Sequence, residues 1–326
     1  MARDINLLAI HKSLSSKSPY RRLLAQSGVL TSTDGTSTVR SATDMPDGVY
    51  QLVGPYLEPV TGARFEDQPT PPLPDGALGY VVVDRRALAR AAAVVSTDES
   101  RPSLMGVCLR IRDQHLAVVG TDGLRLALTR RNTLPASIPD RDFLVPARAV
   151  RLALRYPADS YEILLGAVTA TIKAARLAVT AVLLGDKYPV YEQLIPDSRP
   201  NSIILDRAAA LTACRMLAHY GEILKSDWSP DGLTWTVRNI EREVAKSTAI
   251  PARPGHGGPV DLDDYHLLMP LRPAVERGDD APAIPEGTVQ LNPAYLADAL
   301  AAFDGPELSM GYDGPLAPLV FQTRPF

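Results

Sequence analysis

The stretch YVVVDRRALARAAAVV (80–95), continued by SLMGVCLRIRDQHLAVVGTDGLRLALTRR (103–131), decides the fold. Residues 80–83 are mostly β-branched and favour pleated backbone. Asp84 stands where a helix would begin, with a carboxylate able to take an orphan amide of the first turn. The Ala-, Leu- and Arg-rich run behind it predicts a helix of about ten residues. Three strands are expected next. In the first, Val107, Leu109 and Ile111 alternate with Cys108, Arg110 and Arg112, the period of a strand with one buried face. The second is LAVVGTD (116–122), whose Asp122-Gly123 turn leads into LRLALTR (124–130).

The same order then recurs. FLVP (143–146) reads as a strand, ARAVRLALRY (147–156) as a helix, and YEILLG (161–166), VTATIKA (168–174) and LAVTAVLLG (177–185) as three strands. A strand–helix–three-strand unit thus occurs twice in succession, an internal duplication of architecture. Residues 199–326 repeat the order less cleanly. SIILDRAAALTACRMLAHYG (202–221) is strand then helix, and GLTWTVRNI (232–240) and EVAKSTAI (243–250) are strands. After an insert come TVQLN (288–292), the helix PAYLADALAAF (293–303), ELSMGYD (307–313) and PLVFQT (318–323). Residues 1–77 hold one unit and part of another: helix INLLAIHKSLSS (5–16), hairpin LLAQSGVLTSTDGTSTVRS (23–41) and two strands in GVYQLVGPYLEPVTGARF (48–65). The Pro- and Gly-rich stretches 67–79 and 251–259 read as a domain linker and a surface loop. The expectation is an α+β protein of three related modules, 1–77 (shortened), 78–198 and 199–326.

Composition fits a globular protein: of 326 residues, 45% are hydrophobic and 22% charged. No apolar run approaches the roughly 18 residues that span a bilayer, so no membrane partner is expected. MARDINLLAIHKS lacks the features of a secretory signal. Cys108 and Cys214 stand alone in apolar surroundings, which points to a reducing cytoplasm rather than a disulfide or zinc framework. With 34 Lys+Arg against 37 Asp+Glu the net charge is -3, so any attraction to a polyanion must come from local stripes. No GxSxG, GxGxxG, P-loop or HExxH motif is present, and the five histidines are scattered. Asp261, Asp263 and Asp264 lack a calcium-loop pattern and read as a solvated turn. No catalytic residue, metal site or cofactor is expected.

Five stretches carry a family resemblance: STDESRPSLMGVCLRI (96–111), VGTDGLRLALTR (119–130), FLVPARAVRLALR (143–155), LLGDKYPVYEQLIPDS (183–198) and VQLNPAYLADALAAFDGPELSMGYDGPLAPLVF (289–321). In this order they resemble the bacterial replicative sliding clamp, the DNA polymerase III beta subunit. The resemblance implies a DNA-clamp fold with helices on an inner surface and antiparallel sheets on an outer one. It also implies a non-enzymatic processivity factor that encircles double-stranded DNA without reading sequence. The partners it implies are a replicative DNA polymerase, a clamp loader and further copies of the chain, a dimeric ring being favoured. An alternative shares the fold: a competitor or regulator that binds clamp partners without loading on DNA. The short first module favours that alternative and departs from the family, which puts ring closure in doubt.

Sliding requires long-range attraction to phosphates and no readout of bases. Arg148, Arg151 and Arg155 fall at i, i+3 and i+7 and share one face of a helix that has no acidic residue. Arg85, Arg86 and Arg90 on the helix over 84–95, and Arg207 and Arg215 on the helix over 206–218, complete the candidate DNA-binding set. Arg3, Lys12 and Lys17 add positive charge near the N-terminus, whereas 293–303 has no basic residue. The resemblance also implies a pocket for a short peptide with apolar anchors. Its residues here are Leu104, Thr121, Gly123, Leu124, Arg125, Leu126, Pro189, Tyr191, Gln193, Leu194 and Pro318. Leu124 stands where the family commonly has His, and Gln193 where a basic residue is frequent. The family chain ends in a segment like YLLMPMRL, but this chain ends in VFQTRPF and carries YHLLMPLR at 265–272. The expectation is a relocated terminal strand, with Leu268, Met269, Pro270 and Leu271 rebuilding the pocket.

Overall fold

The computed structural model describes residues 9–13, 22–53, 56–61, 63, 75–131, 138–229, 232–239, 244–255, 258–262, 265–268, 288–313 and 317–323. These residues form two compact units, one of 1–120 with 131–188, the other of 121–130 with 189–326.

In the first unit, β1 (Arg22–Gln26), β2 (Val29–Thr33) and β3 (Ser37–Ala42) make two successive hairpins. The first turns on Ser27 and Gly28, both at positive φ, and the second on Asp34-Gly35. Asp34 Oδ1 accepts the amides of Thr36 and Ser37, which closes the second turn from its own side chain. Then come β4 (Gly48–Val53), β5 (Tyr56–Pro59), β6 (Ala77–Asp84), helix α1 (Arg85–Ala93), β7 (Gly106–Arg112) and β8 (His115–Thr121). The next strand, β9 (Arg125–Arg131), lies in the second unit apart from its last residue. The first unit resumes with β10 (Asp142–Pro146), helix α2 (Ala147–Ala153), β11 (Ser160–Gly166), β12 (Thr169–Ala174) and β13 (Leu177–Val182). Nine strands form one sheet in the order β5-β4-β1-β2-β3-β13-β12-β11-β6, and β10-β7-β8 run side by side.

The pairing of β3 with β13, from Leu177↔Ser41 to Ala181↔Ser37, makes residues of the first expected module continuous with the second. Ile10 and Val39 accordingly share one core with α1, α2 and the strands beneath them. The chain is helical at 9–13, and His11 is buried there between Ser32 Oγ (2.8 Å) and Ser41 Oγ (2.9 Å). Desolvation pushes its pKa down to about 3. The expected linker at 67–79 falls mostly outside the described residues, but 77–79 is already strand.

Both helices of this unit bury small side chains: Ala87, Leu88, Ala91 and Ala92 on α1, and Ala149, Val150, Leu152 and Ala153 on α2. Alanines bring helix backbone close to sheet. At Gly120 a Cβ would collide with the carbonyl of Ala91, so glycine is required where β8 runs beneath α1. The alternation read in 107–112 holds in pattern but not in exposure. Cys108 and Arg110 are buried as well, because Arg110 is sealed by a two-point ion pair with Asp142 on neighbouring β10.

The second unit starts its own repeat with β14 (Ser198–Arg199), β15 (Asn201–Asp206), α3 (Arg207–Leu217), β16 (Leu224–Ser229), β17 (Gly232–Asn239) and β18 (Val244–Ile250). Three short strands follow, β19 (Ala252–Pro254), β20 (Gly258–Pro259) and β21 (Tyr265–Leu268), then β22 (Thr288–Leu291), α4 (Pro293–Ala301), β23 (Glu307–Tyr312) and β24 (Leu319–Gln322). Strand orders are β9-β21-β24-β23-β15-β19, β18-β17-β16-β22 and β14-β20. The core lies between these strands and α3 and α4, around fully buried Trp235, Leu296, Leu300 and Phe321. Trp235 donates its indole N–H to Ser226 Oγ at 3.0 Å.

Two corrections arise here. Residues 251–259, read as a surface loop, carry β19 on β15 and β20 on β14. The strand at 224–229 was not expected, because LKSDWS is polar on the face away from Leu224 and Ser226.

Candidate nucleic-acid and partner surfaces

The two units use one device at equivalent places. Asp84 ends β6, caps α1 by accepting the Ala87 amide at 2.7 Å, and is followed by Arg85. Asp206 ends β15, caps α3 by accepting the Ala209 amide at 2.8 Å, and is followed by Arg207. Arg85 donates to the carbonyls of Leu154 (2.6 Å) and Tyr156 (3.1 Å) and to Tyr161 Oη (2.7 Å). Arg207 donates to the carbonyls of Gly305 (2.8 Å) and Leu300 (3.3 Å). Each therefore supplies a cation to the C-terminal end of the partner helix, where carbonyls lack amide partners and the dipole is negative. Arg151 returns the favour in the first unit by donating to Ala92 O at 2.8 Å, at the end of α1.

The candidate DNA-binding arginines thus divide. Arg85 and Arg207 are tied to carbonyls, Arg90 is buried in the last turn of α1, and Arg148 pairs with Asp34 of the first module. Arg86, Arg151 and Arg155 lie exposed on and just beyond α1 and α2, and Arg215 is exposed on α3. Lys12 is exposed on the helical stretch 9–13, while Arg3 and Lys17 lie outside the described residues. Asp84 is half buried. That burial opposes ionisation, but the bonds from the Ala87 amide and Arg131 prevail and hold its carboxyl below the usual range.

Nine of the candidate pocket residues share the second unit, as does Thr121, while Leu104 belongs to the first. Leu104 ends a short 3₁₀ turn (Pro102–Leu104) and is buried. In the second unit Leu126 of β9 faces Leu267 of β21, Arg125 faces Leu268, and Leu268 faces Leu319 of β24. The 265–268 segment therefore fills the sheet position between β9 and the last strand, although it precedes both β22 and α4 in the chain. Met269, Pro270 and Leu271 lie outside the described residues. Leu126 is buried, Leu124 and Leu194 are each 50% exposed, and Tyr191 is buried at the start of the short turn Glu192–Leu194. Pro189 and Gln193 are exposed, and Pro318 receives Arg199 Nη2 on its carbonyl at 2.8 Å.

The turn 121–125 is closed by its own groups. Thr121 Oγ1 donates to Arg125 O (2.7 Å), the Gly123 amide donates to Thr121 Oγ1, and Asp122 Oδ1 accepts the amides of Leu124 and Arg125. Gly123 has φ 94°, which only glycine adopts freely. Arg125 donates through Nε to Asp122 (2.9 Å) and through Nη1 to Asp298 (2.5 Å), with its plane 4.1 Å above the Tyr295 ring. Sequence reading missed Tyr295 and Asp298. Their i, i+3 spacing puts them on one face of α4, but nothing local indicates a partner 173 residues away. The two cysteines are inert: Cys214 donates its thiol to Pro293 O, and burial pushes that thiol up to about 12, while Cys108 is fully buried.

Residues 83–190 match the family model of the DNA polymerase III beta subunit, central domain. The chain is 23% identical over 245 residues to the Beta sliding clamp of Bacillus subtilis, covering 73% of this chain and 58% of that protein. It is 26% identical over 180 residues to the Beta sliding clamp of Chlamydia muridarum, covering 52% of this chain and 49% of that protein. The chain is a divergent member of the beta sliding clamp family. It spans between half and three-fifths of the length of these relatives. Its fold is the clamp fold. The DNA polymerase sliding clamp from Bacillus subtilis superimposes with a TM-score of 0.71 at 15% identity, over 99% of this chain and 96% of that one. The beta subunit of DNA polymerase from Streptococcus pyogenes gives 0.71 at 14%, over 99% and 97%. Within this fold α1 with α2, and α3 with α4, are the paired helices of the clamp repeat.

Proposed function

We propose that this clamp-family chain is a sliding clamp: a non-enzymatic processivity factor of DNA replication that closes as a homo-oligomer around duplex DNA. One observation carries the reading. The paired helices expose arginines while their carboxylates are engaged, as Asp84 is in capping α1 and receiving Arg131, and Asp34 is in pairing with Arg148. Exposed guanidiniums without base-edge geometry suit attraction to phosphate with freedom to slide. Within the expected division into modules 1–77, 78–198 and 199–326, Arg86, Arg151, Arg155 and Arg215 are the first contacts with DNA. Arg148 and Arg90 contribute field more than hydrogen bonds, and so do Arg85 and Arg207.

The second surface of the proposal is the peptide site around Leu124, Leu126, Pro189, Tyr191, Gln193, Leu194 and Pro318, completed by Leu104, Thr121, Gly123, Arg125, Met269 and Pro270. It takes apolar anchors from a replicative polymerase and a clamp loader in the cytoplasm. Exposed Leu124 and Leu194 beside buried Leu126 are what such an anchor needs.

The testing experiment is the salt dependence of association with duplex DNA. The triple variant Arg86→Ala/Arg151→Ala/Arg155→Ala should flatten the plot of log affinity against log salt by up to about 0.9 per lost phosphate contact. An unchanged slope in a folded variant overturns the DNA-facing assignment and favours a competitor of clamp partners that never loads.

A further inference from the structure

The turn that displays Leu124 is fixed at one end only by its own atoms and at the other by a helix far along the chain. Arg125 is 9% exposed, and its guanidinium is engaged on two edges and one face: Asp122 on Nε, Asp298 on Nη1, and the Tyr295 ring below. A guanidinium so placed is poorly available to an incoming ligand. Its neighbour Leu124, by contrast, is half exposed on a turn whose backbone amides are already closed by Asp122. Asp298 and Tyr295 project from one face of α4, and the turn reaches that helix through Arg125.

We propose that Asp298 and Tyr295 are positioning residues for the peptide site, holding Arg125 so that Leu124 is presented in one orientation before any peptide arrives. The proposal rests on the peptide-site reading above and adds to it two residues of α4 that face no peptide themselves. The physical reason is pre-organisation. A loop ordered in advance loses less conformational freedom on binding, so affinity falls when the loop is released even though no contact to the ligand is removed. Arginine is required at 125 because a planar fork can meet two carboxylates and a ring at once, whereas a lysine ammonium cannot.

The test uses fluorescence anisotropy of the full chain with a fluorescein-labelled hexapeptide bearing leucine and phenylalanine anchors between neutral polar residues. Leu124→Asp should abolish binding, which marks the site. Asp298→Ala and Tyr295→Leu should each weaken binding about tenfold, while Asp298→Glu and Tyr295→Phe should stay within about twofold of the wild type. Hydrogen exchange at the Leu124 and Arg125 amides should accelerate in Asp298→Ala, with the amides of β24 still protected. Loss of β24 protection as well would reveal a general loss of structure and overturn the positioning role. So would wild-type affinity and unchanged exchange in both Asp298→Ala and Tyr295→Leu, with Leu124→Asp inactive. Failure of the wild type to bind the peptide, or full binding by Leu124→Asp, would overturn the peptide-site reading and this inference together.

Discussion

Arg85 and Arg155 illustrate how one residue type divides between folding and binding. Arg85 has three acceptors from the protein, whereas Arg155 is exposed just beyond α2. Hydrogen bonds from a charged group to buried carbonyls contribute more than neutral ones, so Arg85→Ala should lower stability by about 2 kcal/mol. Arg155→Ala should leave stability within about 0.5 kcal/mol and act on DNA affinity instead. Denaturant melts and DNA binding of the two variants, side by side, check this. His11 gives a pH dependence. Burial holds its folded pKa at about 3, against 6.5 for the free side chain, so the unfolded chain takes up a proton first as pH falls. Stability is therefore full above pH 6.5 and declines from there toward pH 3, by at most about 1.4 kcal/mol per pH unit. Asp75 and Asp84, lowered in the fold, add losses only in the carboxylate range below this. His11→Asn should flatten the slope between pH 6.5 and 4.5 in urea melts. An unchanged slope would mean that the helical stretch 9–13 does not hold the imidazole dry.

At the scale of elements, the decisive object is β21. The sequence reads YHLLMPLR as a displaced copy of a terminal strand, and 265–268 does lie between β9 and β24. Leu268 is fully buried there, facing Arg125 and Leu319. A decorative insert would tolerate truncation, but Leu268→Ala in a packed sheet should cost about 3 kcal/mol, measured as the shift in the urea midpoint. A loss below about 0.5 kcal/mol would return this strand to the status of a surface insert. Most elements were legible for a similar reason. Asp84 and Asp206 announce their helices by capping chemistry, and apolar periodicity marks β10 to β13. What was not legible depends on tertiary partners. β16 presents Lys225, Asp227 and Ser229 to one face and is a strand because β17 and β22 flank it. Arg85 and Arg207 look like a basic stripe until the facing helix end supplies their carbonyl partners. The link from Arg125 to α4 leaves no trace in local spacing.

At the scale of the whole molecule, the repeat explains why a chain with net charge -3 can be proposed to hold DNA. Its helices carry exposed arginines, and long-range attraction depends on that local distribution rather than on the sum. The first module is shortened, yet it is not loosely attached: β3 extends the sheet of β13, and Asp34 meets Arg148. It therefore belongs to the load-bearing half of the proposed ring rather than to a tether. The claim that the chain topologically encloses duplex DNA is tested most directly by gel filtration after clamp-loader treatment with nicked circular DNA, followed by linearisation of the same sample. The account predicts that the protein travels with the circle at moderate salt and is released when the DNA is cut. Equal retention on circular and linear DNA, or none on either, would contradict it.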